Sequence, residues 1–163
     1  MYRHWLVAHD FEPCANSAAD AAARVALACS GGEPATVVLA HVVTPPVMPM
    51  HGDVLGGGEN AFAAIDIMMS TSSKRLDEEA GALRAAHPGL IVETMVLSGS
   101  PVEALLEYAK RENVDAIAIG SHGRTGLAHA FLGSVAERVV QKAHCPVFVI
   151  KQKPTPVFAT AVA

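Results

Sequence analysis

The sequence has only three cysteines, Cys14, Cys29 and Cys145, and no two of them stand in a C-x-x-C spacing. So small and scattered a set gives neither a disulfide framework nor a thiolate zinc site. Eight histidines are present, but none forms an H-x3-H or H-E-x-x-H pair, so no helix-borne metal site is expected. Charge is sparse at 17% of residues and the net value is −4, which leaves non-specific nucleic-acid binding without electrostatic support. The longest uncharged stretch, 34–52, is interrupted by Pro45, Pro46 and Pro49 and holds His41 and His51, which excludes it as a membrane-spanning helix. At the amino end "MYRHWLVAHDFEP" reaches Asp10 before a signal-peptide apolar region could finish, so a cytoplasmic location is expected. Two phosphate-binding patterns are also missing: there is no G-x-x-x-x-G-K-[ST], and no G-x-G-x-x-G after the first strand candidate.

What is abundant is apolar side chain, 51% of 163 residues, enough to bury one sizeable core and to argue against disorder. One domain over 1–153 with a tail at 154–163 is expected. Short, largely β-branched runs at 4–9, 36–43, 90–97, 116–120 and 146–151 read as five strands. Helical patterns lie between them, at Asn16–Ser30, within Asn60–Ala86, at Pro101–Arg111 and at Ser134–His144. In the second, Ile65, Met69, Ser72, Leu76, Ala80 and Leu83 recur at spacings of three and four, which makes one face mainly apolar. The third has start chemistry: Ser100 as cap, Pro101 at the first helical position and Glu103 to complete a capping box. Such alternation predicts an α/β fold, a doubly wound parallel sheet with helices on both faces. Only 44–59, rich in Pro and Gly, reads as a long loop, either a lid or a simple excursion.

The stretch "GSHGRTGLAHAFLGS" follows the fourth strand candidate and sets glycines at 120, 123 and 133. Gly120 falls at the carboxyl end of that strand, where ligands of open parallel sheets bind and where a side chain would block approach to the backbone. Gly123 allows a further tight turn. Gly133 precedes Ser134 and a helix start, whose unpaired N–H groups and positive dipole end favour phosphate. Spacing alone is matched equally well by an ordinary glycine-containing loop, with Ser134 and Glu137 forming an S-x-x-E capping box. For Asp10, at the end of the first strand, a carboxylate suits ribose hydroxyls, and a helix cap or Asx turn explains it equally well.

Gly120-x2-Gly123-x9-Gly133-Ser134, followed after one helix by "CPVFVIK", resembles the ATP-binding signature and last strand of the universal stress protein family. "WLVAHDF" is similar to that family's first strand, "LAHVV" to its second, and "GSPVEALLEYAKRENVDAIAIGSHGR" to its third helix and fourth strand. The resemblance implies a five-stranded Rossmann-like sheet in the order 3-2-1-4-5, with a crevice between strands 1 and 4. It implies ATP; Mg2+ or Mn2+ is expected with the nucleotide because carboxylates are sparse and the phosphate charge needs neutralising, and no catalytic or metal-ligating side chain is expected. The implied nucleotide-binding residues are Asp10, Val42, Ile119, Gly120, Gly123, Gly133, Ser134 and Val135, and Ala8, His9, His122 and Arg124 are expected in the site beside them. Asp10 would contact the nucleoside, the backbone at Val42 the adenine, and the glycine-rich residues the ribose and phosphates.

Two departures stand out: His9 replaces a small or hydroxylated residue, and Glu12-Pro13 replaces a Ser-led helix entry. His9 is expected to crowd the nucleoside or to stack on it. "SGGE" at 30–33 follows a helix rather than the first strand and reads as a helix stop. The expected function is that of an ATP-binding stress-response regulator, homodimeric through Pro146–Lys151, with neither nucleic acid nor membrane as partner. A slow ATPase and a nucleotide-independent dimeric scaffold are the alternatives.

Overall fold

The computed structural model describes residues 2–45, 57–121 and 132–151. Among the described residues nine elements alternate. They are β1 (His4–Ala8), α1 (Pro13–Cys29), β2 (Ala35–Val43), α2 (Gly57–Ala86), β3 (Leu90–Ser98), α3 (Pro101–Arg111), β4 (Ala116–Gly120), α4 (Ser134–Lys142) and β5 (Val147–Ile150). The strands form one all-parallel sheet in the order β3-β2-β1-β4-β5. The five strands and four helices are those expected, and the expected sheet order is the observed one.

Both faces of the sheet are covered, so the central strands carry continuous apolar runs, Trp5–Ala8, Val37–Ala40 and Ala116–Ile119, rather than alternating ones. On one face Trp5, Val7, Val37, Leu39, Ala116 and Ala118 meet Ala18, Ala22 and Ala26 of α1 and Leu76, Ala80 and Leu83 of α2. On the other, Leu6, Val38, Ala40, Ile117 and Ile119 meet Val102, Leu105 and Tyr108 of α3 and Ala136 and Val139 of α4. The alanine-lined face of α1 lets its axis sit close over β1 and β4. Trp5 is fully buried, its indole N–H donating to the Tyr2 carbonyl at 3.0 Å. No helix among the described residues is long and apolar enough to cross a membrane.

Helix starts depart from expectation at each helix; α2 begins at Gly57, ahead of Asn60 and inside the stretch 44–59 read as loop. α1 begins at Pro13 rather than Asn16, because Pro fits the first helical position and Glu12 serves as N-cap through its backbone. At α3, Ser100 is the N-cap and Pro101 follows it, but the Ser100 hydroxyl is bonded to the Glu103 carboxylate, so the capping box does not close on the backbone. At α4 the cap is Gly133, whose carbonyl accepts from Glu137 N at 2.9 Å; Ser134 is already helical and the S-x-x-E box is not built. The stop after α1 is as read, with Gly31 at φ 65° after the C-cap Ser30.

Candidate functional site

The sheet order places β1 between β2 and β4, and the chain's crossovers reverse direction there. In register, Ala8 faces Ala40 on one side and Ile119 on the other, so three strands reach their carboxyl ends side by side. A crevice opens at this switch point, where ligands of open parallel sheets bind. It has a volume of about 300 Å³ and is lined from β1 and the turn after it by Ala8, His9 and Asp10, and from β2 by Ala40, His41 and Val42. Ile119 and Gly120 of β4, Pro101 and Leu105 of α3, and Gly133, Ser134, Val135 and Ala136 at the start of α4 complete it.

Nine of the twelve expected site residues therefore share one crevice: Ala8, His9, Asp10, Val42, Ile119, Gly120, Gly133, Ser134 and Val135. His122, Gly123 and Arg124 lie outside the described residues. Ala40, Pro101, Leu105 and Ala136 were not anticipated, and His41, which falls in the second strand read from the sequence, lines the crevice as well. Ala40 was legible in principle, since strand alternation sets residue 40 on the same face as Val42. Ala136 continues the first turn of α4, whereas Pro101 and Leu105 arrive only through the packing of α3.

The start of α4 supplies donors. Its first i→i−4 bond is made by Glu137 N, so the N–H groups of Ser134, Val135 and Ala136 precede the helical ladder and lie at the crevice wall. Gly133 N donates to the Ser121 carbonyl at 2.8 Å, which ties the start of α4 to the end of β4. Because Gly133 is the cap, no capping box engages the Ser134 hydroxyl.

For Asp10 the structure builds the Asx turn that its sequence position left open, Oδ1 accepting from Glu12 N at 3.1 Å, and sets the residue in the crevice wall. His9 lines the same crevice. Its ring is engaged with α1, Nε2 lying 2.7 Å from Asn16 Oδ1, and only 4% of the residue is exposed. Burial pushes its pKa below the ordinary 6.5, outweighing the opposing pull of Asn16, Glu79 and Asp10. Phe11 follows at φ 67°, its ring packed on His41 at 4.4 Å and capped by the Arg75 guanidinium at 4.0 Å.

The glycine at 120 also answers a packing contact. A Cβ there would lie 3.1 Å from the carbonyl carbon, Cβ and Sγ of Cys14, so the missing side chain admits the first turn of α1. The Cys14 thiol donates to the Ile150 carbonyl at 3.1 Å, drawing α1 onto the end of β5.

A family model described as the universal stress protein family matches residues 1–151. The chain belongs to the universal stress protein family. Among its curated relatives, universal stress protein MJ0531 of Methanocaldococcus jannaschii is 45% identical over 64 residues, which are 39% of this chain and 38% of the relative. The first curated relatives are thus matched over less than half their own length, from 38% to 46%. A Thermus aquaticus universal stress protein is 30% identical over 155 residues, covering 93% of this chain and all of the relative. The structure of MJ0577, also from M. jannaschii, superposes with a TM-score of 0.75 at 27% identity, covering 95% of this chain and 99% of that one.

Proposed function

We propose that this universal stress protein is a cytoplasmic adenine-nucleotide-binding regulator that takes ATP with Mg2+ or Mn2+ in the crevice at the ends of β1 and β4. The observation that carries this reading is the meeting, in one crevice, of the Asp10 carboxylate and the three unladdered N–H groups at the start of α4. A carboxylate suits ribose hydroxyls, and a helix start suits phosphate. The mainly apolar wall of Ala8, Ala40, Val42, Leu105 and Ile119 suits a base. In this arrangement the backbone at Val42 meets adenine, Asp10 the ribose, and Gly133, Ser134 and Val135 the phosphates. His9 and Gly120 border the nucleoside, and His122, Gly123 and Arg124 extend the phosphate loop.

Among the described residues no group of three His, Cys, Asp or Glu side chains is arranged to hold a metal ion. The divalent ion in this reading is held by phosphate oxygens and water, neutralising the nucleotide. Two solved universal stress proteins, one in complex with cAMP and one from Archaeoglobus fulgidus in complex with dAMP, share the fold at 22% and 23% identity. Positioned phosphates alone do not hydrolyse, so turnover is expected well below about 10 per second.

Titration calorimetry with Mg-ATP tests the reading. Saturable binding is expected in the wild-type chain. Gly133 has φ −60° and ψ 147°, angles open to any residue, so Gly133→Val is expected to fold and to lose binding through its branched side chain. No saturation of wild type at millimolar nucleotide, or unchanged binding by the variant, contradicts it.

A further inference from the structure

Every polar group of His9 has a partner. Its N–H donates to the Ala40 carbonyl at 2.8 Å, and its own carbonyl accepts from His41 Nδ1 at 2.7 Å. In the ring, Nε2 meets Asn16 Oδ1 at 2.7 Å and Nδ1 meets Phe11 N at 3.3 Å. A backbone N–H can only donate, so Nδ1 must present its lone pair to Phe11. The ring proton then resides on Nε2, and Asn16 must present oxygen, not nitrogen. The Phe11 bond to His9 interlocks with the Glu12 bond to Asp10, each spanning two residues. Between them they hold Phe11 at φ 67°, a conformation that a bulky residue keeps only when its surroundings impose it.

We propose that His9 is the positioning residue for Asp10: its neutral, Nε2-protonated ring fixes the 9–12 turn and thereby aims the Asp10 carboxylate into the crevice. The inference rests on the nucleotide reading of that crevice. A second ring proton would set Nδ1–H against the Phe11 N–H, donor facing donor, and release the turn. The groups acting on the ring are Asn16 from α1, Arg75 and Glu79 from α2, Asp10 from its own turn and His41 from β2 through the His9 carbonyl. Burial is the largest influence and disfavours the proton, Arg75 acts in the same sense, and Asn16, Glu79 and Asp10 oppose it. The sign follows. Above the ordinary value of 6.5 the ring is neutral in folded and unfolded chains alike, and the network is whole. As pH falls from there through the lower folded value, protonation is reached only by breaking the network, so nucleotide binding weakens on the acid side.

The test compares Mg-ATP affinity from about pH 8 to about pH 5 in wild type, His9→Asn and His9→Ala. Asn carries an oxygen where Nδ1 stands and does not titrate, and the titration of ATP itself is common to all three. At neutral pH His9→Ala is expected to bind about tenfold more weakly than wild type, and His9→Asn within about threefold of it. Towards acid pH wild type is expected to lose about tenfold more affinity than His9→Asn. Ring 15N shifts of the ligand-free chain are expected to report the Nε2–H tautomer, with the Phe11 and Glu12 amides shifting as His9 titrates. An Nδ1–H tautomer, amides indifferent to that titration, or parallel acid loss in wild type and His9→Asn overturns the proposal. If wild type binds no nucleotide, the crevice reading fails, and the ligand-free shifts still decide for or against the network.

Discussion

Gly120 and Asp10 show how differently two residues of one crevice relate to the sequence around them. Asp10 was legible: a carboxylate two residues beyond a buried strand has few roles, and the structure gives it both an Asx turn and a place in the crevice wall. The packing contact of Gly120 was not, because its partner lies 106 positions away, at Cys14, in contact only after α1 packs. Phe11 was equally hidden, since nothing in its residue type favours φ 67°, and the neighbours that impose it act through hydrogen bonds. The contact at Gly120 makes a stability prediction independent of any ligand. Gly120→Val is expected to force Cys14 and the start of α1 outward at a cost of about 1–3 kcal/mol. A lower urea midpoint with unchanged slope is the expected result, and unaltered stability would mean that α1 yields freely.

At the scale of elements, the strands were read nearly to the residue because buried parallel strands leave uninterrupted β-branched runs. Helix starts were read less well. Propensity rules favour Ser and Asn as caps, but here Glu12 and Gly133 take those places, since backbone carbonyls alone close the first turns of α1 and α4. The α2 pattern separates into two halves. Leu76, Ala80 and Leu83 are buried against the sheet, whereas Ile65 and Met69 are half-buried and Phe62, Ile67 and Met68 are exposed. The sheet-facing half anchors the helix, with the Arg84 guanidinium also donating to the Val92 carbonyl at 2.5 Å. Leu76→Ala is accordingly expected to cost about 2–5 kcal/mol, and Ile67→Ala, at a residue 65% exposed, less than about 0.5 kcal/mol. Denaturant unfolding of both variants checks the contrast; similar losses would place the anchor of α2 elsewhere.

For the molecule as a whole, alternating strands and helices were enough to predict a parallel sheet, but not which strands adjoin. Spacing along a chain carries no such information, and the order 3-2-1-4-5 came with the family likeness. That order leaves β5 at an edge, paired among the described residues with β4 alone. Phe148 on it is 36% exposed while also packing on Trp5 at 4.8 Å. We propose that two copies pair along this strand, a β-branched edge with Lys151 as its only gatekeeper. Light scattering is expected to give a dimer both for the full chain and for one ending at Lys153. A full-length monomer that dimerises only when shortened would show the 154–163 tail to be the cover instead. The central claim, nucleotide at the carboxyl ends of β1 and β4, is tested most directly by amide NMR spectra during titration with Mg-ATP. The account predicts saturable shifts concentrated at Asp10, Val42, Gly120, Ser134 and Val135, with Arg3 and Asp115 at the opposite ends of the strands unmoved. Shifts that fail to saturate at millimolar nucleotide, or that gather away from this crevice, would contradict it.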